Sequence, residues 1–260
     1  MKIGRTQKGR VRPLAHHALA NIGLREHRPE GLAQGVDHIR GGACWRQKPV
    51  KPHHLERLEA RLGHRGNVWQ RGAALAPGDG QGPHLALLVV DVQPSFLKAM
   101  PEAEAFLRRC KLAVGAAQLL GIPVFFTEQV PAKLGGTHPD LLQAAGPGAV
   151  VVGKTAFSAL AGDELSAALS SQGINNLLIC GLEGPVCVYQ TAVDALRQEM
   201  GVTLLTDAIT ARRAADQETC FAMLRAHGVT LLPTETVFYA MLRDAQSPHF
   251  RAFTELVKQG

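Results

Sequence analysis

Three residues of different chemistry each follow an apolar run in this chain. Asp91 closes Leu85–Val90, Lys154 closely follows Ala149–Val152, and Cys187 comes seven residues after the run Leu177-Leu178-Ile179-Cys180. A carboxylate at the end of a hydrophobic strand is costly unless it is partnered, so Asp91 reads as a general base. A lysine near it favours both carboxylate and thiolate. Cys187 reads as the nucleophile. Gly181 stops the preceding run, and Pro185 suits the first turn of a helix, where its missing N–H has no intrahelical partner. That turn places Cys187 where free backbone N–H groups and the positive end of the helix dipole favour a thiolate.

The elements that must position these residues follow from periodicity. Apolar strands are expected at Leu85–Val90, Ile122–Thr127, Ala149–Val152, Asn176–Cys180, Val202–Thr206 and Val229–Leu232. Helices are expected at Glu102–Leu120, Asp163–Ser171, Pro185–Met200, Asp216–Ala226, Thr234–Arg243 and His249–Lys258. Strands that are apolar throughout, alternating with helices, imply a parallel sheet covered on both faces. The fold class is therefore a three-layer α/β/α doubly wound domain with a six-stranded parallel sheet. Its site lies beyond the carboxyl ends of the strands, where Asp91, Lys154 and Cys187 all fall.

The remaining reactive residue types have plainer readings. Cys110 and Cys220 sit within amphipathic helical patterns, Cys180 inside a strand, and Cys44 far upstream. Asp207 reads as a cap rather than a catalytic group. His84, His138, His227 and His249 have no spacing that pairs one with the cysteine. No metal site is expected, because neither C-x-x-C nor H-x(3–5)-H spacing occurs.

Charge divides the chain. Residues 1–80 hold 15 Lys/Arg against 6 Asp/Glu, whereas residues 81–260 hold 13 against 16. The net +6 is thus a net +9 in residues 1–80 set against −3 in the remainder. A turn-rich stretch, Ala76-Pro77-Gly78-Asp79-Gly80-Gln81-Gly82-Pro83, separates the two. Its glycines precede a strand rather than follow one, so a phosphate loop is rejected on context. Residues 1–82 read as a basic N-terminal extension, disordered or outside the fold, and residues 83–260 as the folded domain. The arginines of the extension are dispersed and only two aromatics accompany them, so no nucleic-acid partner is expected. Five cysteines without paired spacing, no signal region and no membrane-length apolar run make the expected location cytoplasmic.

Three segments, VVDVQPSF (89–96), VVGKTAFSAL (151–160) and CGLEGPVCV (180–188), followed by TDA (206–208), resemble the isochorismatase-like cysteine hydrolases in type and order. The resemblance spans about residues 84–245. It implies a six-stranded parallel sheet, in agreement with the periodicity. It also implies an Asp-Lys-Cys triad at Asp91, Lys154 and Cys187. The oxyanion hole falls on the backbone N–H groups of Glu183 and Cys187, with a cis peptide bond at Leu182–Glu183. Phe96 matches a pocket-lining position, and Gln129 and Phe157 are assigned to substrate binding with it. The segment TEQVPAKLG (127–135) is most similar to the poorly characterised isochorismatase-domain branch.

Nicotinamidases of that family carry an Asp-x-His pair after the second strand. Here the region reads TEQVPAKLGGTHPD, with no such pair. The expected function is therefore hydrolysis of a small-molecule amide or related C–N bond through a covalent cysteine intermediate, without cofactor. The resemblance further implies a homo-oligomer. The rival reading is a catalytically silent scaffold that has kept the fold.

Overall fold

The computed structural model describes residues 84–260. The reading of residues 1–82 as an extension, and the boundary near residue 82, lie outside the described residues.

Six strands are present: β1 Leu85–Val90, β2 Val124–Gln129, β3 Val150–Lys154, β4 Asn176–Leu182, β5 Gly201–Thr210 and β6 Thr230–Leu232. They form one sheet in the order β3-β2-β1-β4-β5-β6, and every pairing is parallel. That order reverses direction between β1 and β4. In doubly wound sheets a crevice opens at this switch point, outside the carboxyl ends of the strands.

Helices cover both faces. On one side lie α1 Pro94–Leu97, α2 Ala103–Leu119, α4 Pro139–Ala145, α8 Thr234–Leu242 and α9 Phe250–Gln259; on the other lie α5 Asp163–Ser171, α6 Tyr189–Arg197 and α7 Ala214–Ala226. A one-turn helix, α3 Pro131–Leu134, follows β2. The two-residue period of a strand divides its side chains between the layers. Leu87 and Val89 of β1 join Phe106, Leu141, Phe238 and Phe253 in one cluster. Ala86, Leu88 and Val90 join Leu165, Val188, Ala192 and Leu224 in the other. Both sets are buried, and this is why β1 carries no polar residue before Asp91.

Two expectations shift. The strand expected at Val202–Thr206 continues to Thr210, because Asp207 is partnered and does not end it. The helix expected from Pro185 begins instead as a single π-helical turn, Gly184–Val188, before α6. Among the described residues, no helix is long and apolar enough to cross a membrane.

Candidate active site

Asp91 leaves the end of β1 with a left-handed backbone, φ +54°. Aspartate tolerates that conformation better than most residues. Its N–H donates to the Thr127 carbonyl at 3.1 Å. Its side chain is buried, and each carboxylate oxygen has a donor. Thr127 Oγ1 donates to Oδ1 at 2.8 Å, and Lys154 Nζ donates to Oδ2 at 2.7 Å. The Asp91 and Lys154 side chains are 2 % and 8 % exposed, so this ion pair is almost fully desolvated. Such a pair persists only when further hydrogen bonds satisfy both partners. The lysine has them: Gln129 Oε1 at 2.6 Å and the carbonyls of Ala156 and Phe157 at 3.1 Å each.

Gly181 sets the approach of β4 to β1. It pairs with Val90 at φ +134°, and a Cβ there would stand 2.2 Å from the Val90 carbonyl oxygen. Only glycine fits so close a backbone contact. Glu183 then turns the chain at φ +57° into the π turn that carries Cys187. The peptide bonds of the described residues are all trans, Leu182–Glu183 included. The cis bond implied by the resemblance is replaced by the left-handed residue at Glu183, which makes the bend. The Glu183 side chain accepts from Arg212 Nε at 2.6 Å.

The thiol of Cys187 departs from expectation. Its residue is 6 % exposed, and its pKa is pushed up to about 12. Burial is the largest cause, followed by the Asp91 charge; Lys154 opposes them, and a hydrogen bond to Asp91 and the Glu183 charge add to the rise. The expected thiolate-favouring turn is outweighed by desolvation and a facing carboxylate. Cys187 therefore rests as a thiol beside an ionisable acceptor. Its carbonyl accepts from Thr191 Oγ1 at 2.7 Å, and Thr191 Oγ1 also accepts from Ala159 N–H at 2.9 Å. That hydroxyl ties the cysteine turn to the loop after β3.

Phe157 stands in that loop and is 54 % exposed. Phe96 lies on α1 and packs, partly buried, against the α2 side of the core. Gln129 is buried, and both ends of its amide are engaged within the protein. Asp207 accepts from the Thr234 N–H and hydroxyl at 2.7 Å each, and from Arg109 Nε at 2.8 Å. Burial opposes its ionisation, but the Thr234 and Arg109 bonds hold its pKa below the usual carboxylate value. Thr234 opens α8, so Asp207 caps that helix, as read from the sequence. His138 Nδ1 accepts from the Asp140 N–H at the start of α4. Among the described residues, no three His, Cys, Asp or Glu are grouped to hold a metal ion. A cavity of about 490 Å³ lies between α2 and β5, lined by Arg109, Asp207, Thr210 and Gln217 but not by Asp91, Lys154 or Cys187.

Three supporting residues carry no separate signal in the sequence. Thr127 bonds Asp91, and Thr191 bonds the Cys187 carbonyl. Gln93 is fully buried; its Oε1 accepts from the Gln129 N–H at 2.7 Å, and its Nε2 donates to the Gln129 and Gly135 carbonyls at 3.2 and 2.5 Å.

Comparison with known proteins follows the same segments. The isochorismatase domain profile matches residues 85–236. Isochorismatase domain-containing protein 2 of Danio rerio is 31 % identical over 172 residues, covering 66 % of this chain and 85 % of its own length. The solved MAR1 ribonuclease of Caenorhabditis elegans is 27 % identical with a TM-score of 0.64, covering 67 % of this chain and 90 % of its own. The YcaC gene product of Escherichia coli, described as an octameric hydrolase of unknown specificity, shares the fold at 21 % identity and a TM-score of 0.60, with 67 % and 92 % covered. The profile runs from the start of β1 through the opening turn of α8, and so takes in every strand of the sheet and all three of Asp91, Lys154 and Cys187: the chain belongs to the isochorismatase family.

Proposed function

We propose that this protein is a cysteine hydrolase acting on a small-molecule amide or related C–N bond. The observation that carries the reading is the buried Asp91–Lys154 pair facing a protonated Cys187 thiol. Burial and the facing Asp91 charge make it costly to ionise the thiol in advance. General-base removal during attack avoids populating that state. Asp91 takes the Sγ proton as Sγ bonds to the carbonyl carbon, and the carbonyl oxygen becomes an oxyanion. The backbone N–H groups of Glu183 and Cys187 receive that charge; losing one such donor typically costs about 10²–10³ in rate. Lys154 holds the Asp91 carboxylate in place through its 2.7 Å bond to Oδ2.

Collapse of the intermediate breaks the C–N bond, and Asp91 returns its proton to the departing amine. Water then attacks the thioester with Asp91 as base. The carboxylic acid leaves, and the Cys187 sulfur recovers a proton from Asp91. Phe96 and Phe157 offer apolar surface to the substrate. The reading needs no cofactor. Self-association belongs to it, on the analogy of the octameric bacterial protein, as does a reducing, cytoplasmic setting for the free thiols Cys110, Cys180, Cys187 and Cys220.

The test is a screen of small amides, ureides and isochorismate against the wild type and Cys187→Ala, with a labelled RNA included because of the name of the worm relative. Turnover of an amide or ureide that Cys187→Ala lacks supports the reading. Cleavage of RNA alone, or hydrolysis unaffected by the substitution, contradicts it.

A further inference from the structure

Gln129 and Lys154 are register partners across β2 and β3, at the ends of both strands. Lys154 Nζ has three N–H groups and four acceptors: Asp91 Oδ2, Gln129 Oε1, and the carbonyls of Ala156 and Phe157. Its bond to Gln129 is the shortest, at 2.6 Å. The lysine is thus saturated by the protein and has no N–H to spare for a substrate. The other end of the Gln129 amide donates one N–H to the Thr155 carbonyl at 2.8 Å, so both ends of this side chain are engaged within the protein. Its backbone is fixed in turn. Gln93 bonds both the N–H and the carbonyl of Gln129, as a neighbouring strand would. The same strand face supplies Thr127, two residues earlier, to the other oxygen of Asp91. The end of β2 therefore brackets the Asp91–Lys154 pair, with Thr127 on the carboxylate and Gln129 on the ammonium.

We infer that Gln129 is a positioning residue, not a substrate contact: its carboxamide holds the Lys154 ammonium against Asp91, and through that pair it sets how readily Cys187 gives up its proton. The inference rests on the cysteine hydrolase reading for its functional meaning. Its physical content is narrower. The charges acting on the Cys187 thiol come from Asp91, Lys154 and Glu183, and of these only Lys154 favours the thiolate. Loosening Lys154 removes part of the one attraction and leaves both repulsions in place. Supporting partners of this kind commonly matter nearly as much as the groups they hold.

The experiment measures the alkylation rate of Cys187 by iodoacetamide at pH 8–9, read by peptide mass spectrometry on the full-length protein. The variants are Gln129→Met, Lys154→Ala, the double variant and Gln129→Glu. Below its pKa a thiol reacts in proportion to its small thiolate fraction. Lys154→Ala should slow labelling by about tenfold or more, since a nearby opposite charge shifts a pKa by about 1–3. Gln129→Met should slow it by roughly threefold to tenfold. The double variant should match Lys154→Ala alone, because Gln129 acts only through the lysine. Gln129→Glu keeps size and an acceptor, so it retains the fold if Met does not. It adds negative charge and should label more slowly than Gln129→Met.

Wild-type labelling rates in both Gln129 variants, or effects of Gln129→Met and Lys154→Ala that multiply in the double variant, would overturn the inference. Those outcomes leave the hydrolase reading intact if the wild type turns over substrate through Cys187. Non-additive labelling in a protein without hydrolase activity would support the positioning and defeat the hydrolase reading. A wild type in which Cys187 labels no faster than in Lys154→Ala would overturn the inference and leave the hydrolase reading, which needs no standing thiolate, in place.

Discussion

At Cys187, burial and the Asp91 charge push in one direction and Lys154 in the other. Substitutions at the two partners should therefore separate thiolate population from catalysis. Asp91→Asn removes a repelling charge and leaves Lys154 unopposed, so Cys187 should alkylate faster than in the wild type at pH 8. Turnover should nevertheless fall by about 10²–10⁴, because the base is gone. Lys154→Ala should slow both. Iodoacetamide labelling beside turnover of a substrate found by the screen checks the pair. A parallel loss of labelling and turnover in Asp91→Asn would show that the carboxylate does not repel the thiol. Asp91, Lys154 and Cys187 were legible as candidates from sequence because each follows an apolar run. The protonated state of Cys187 was not, since helix-terminus reasoning weighs the dipole but cannot see how completely the turn is buried. Thr127 and Gln129 gained their partners from strand adjacency, and that order is not written in local pattern.

Element boundaries show where periodicity informs and where it fails. β1 falls where its apolar run predicts, at Leu85–Val90. β5 extends past Thr206 because Asp207, a polar residue that breaks the run, is satisfied by Arg109 and Thr234. The short helices α1, α3 and α4 span four to seven residues each and open with proline, too brief for a 3.6-residue period to register. Two predictions belong at this scale. Gly181→Ala places a Cβ into the Val90 backbone at a φ that L-residues avoid. It should lower stability by about 2–4 kcal/mol, read from denaturant midpoints, and displace the Cys187 turn. A near-normal midpoint would mean that the β1–β4 contact relaxes freely. Asp207→Asn should leave turnover in place but lower stability at neutral pH. The folded pKa of Asp207 lies below its ordinary 3.8, so its contribution is present above that value and lost as pH falls through the folded pKa. Thermal unfolding between pH 7 and 3 should therefore be less steeply pH-dependent in the variant. An unchanged profile would show that the Arg109 and Thr234 bonds do not stabilise the ionised form.

For the molecule as a whole, alternation of strand and helix was enough to read a covered parallel sheet from Leu85 onward. The strand order that places β1 beside β4 came only with the structure. Both faces of that sheet are already closed by helices within residues 84–260. A chain beginning at Pro83 should therefore unfold cooperatively and keep the activity of full-length protein. Insolubility or loss of turnover on truncation would make residues 1–82 part of the working unit. The proposed chemistry turns on the covalent step at Cys187. Its most direct test is acid quenching during turnover of an amide substrate, followed by peptide mass spectrometry. An acyl adduct on Cys187 should accumulate and decay with turnover, and should be absent together with activity in Cys187→Ala. Steady turnover by Cys187→Ala at the wild-type rate would contradict it.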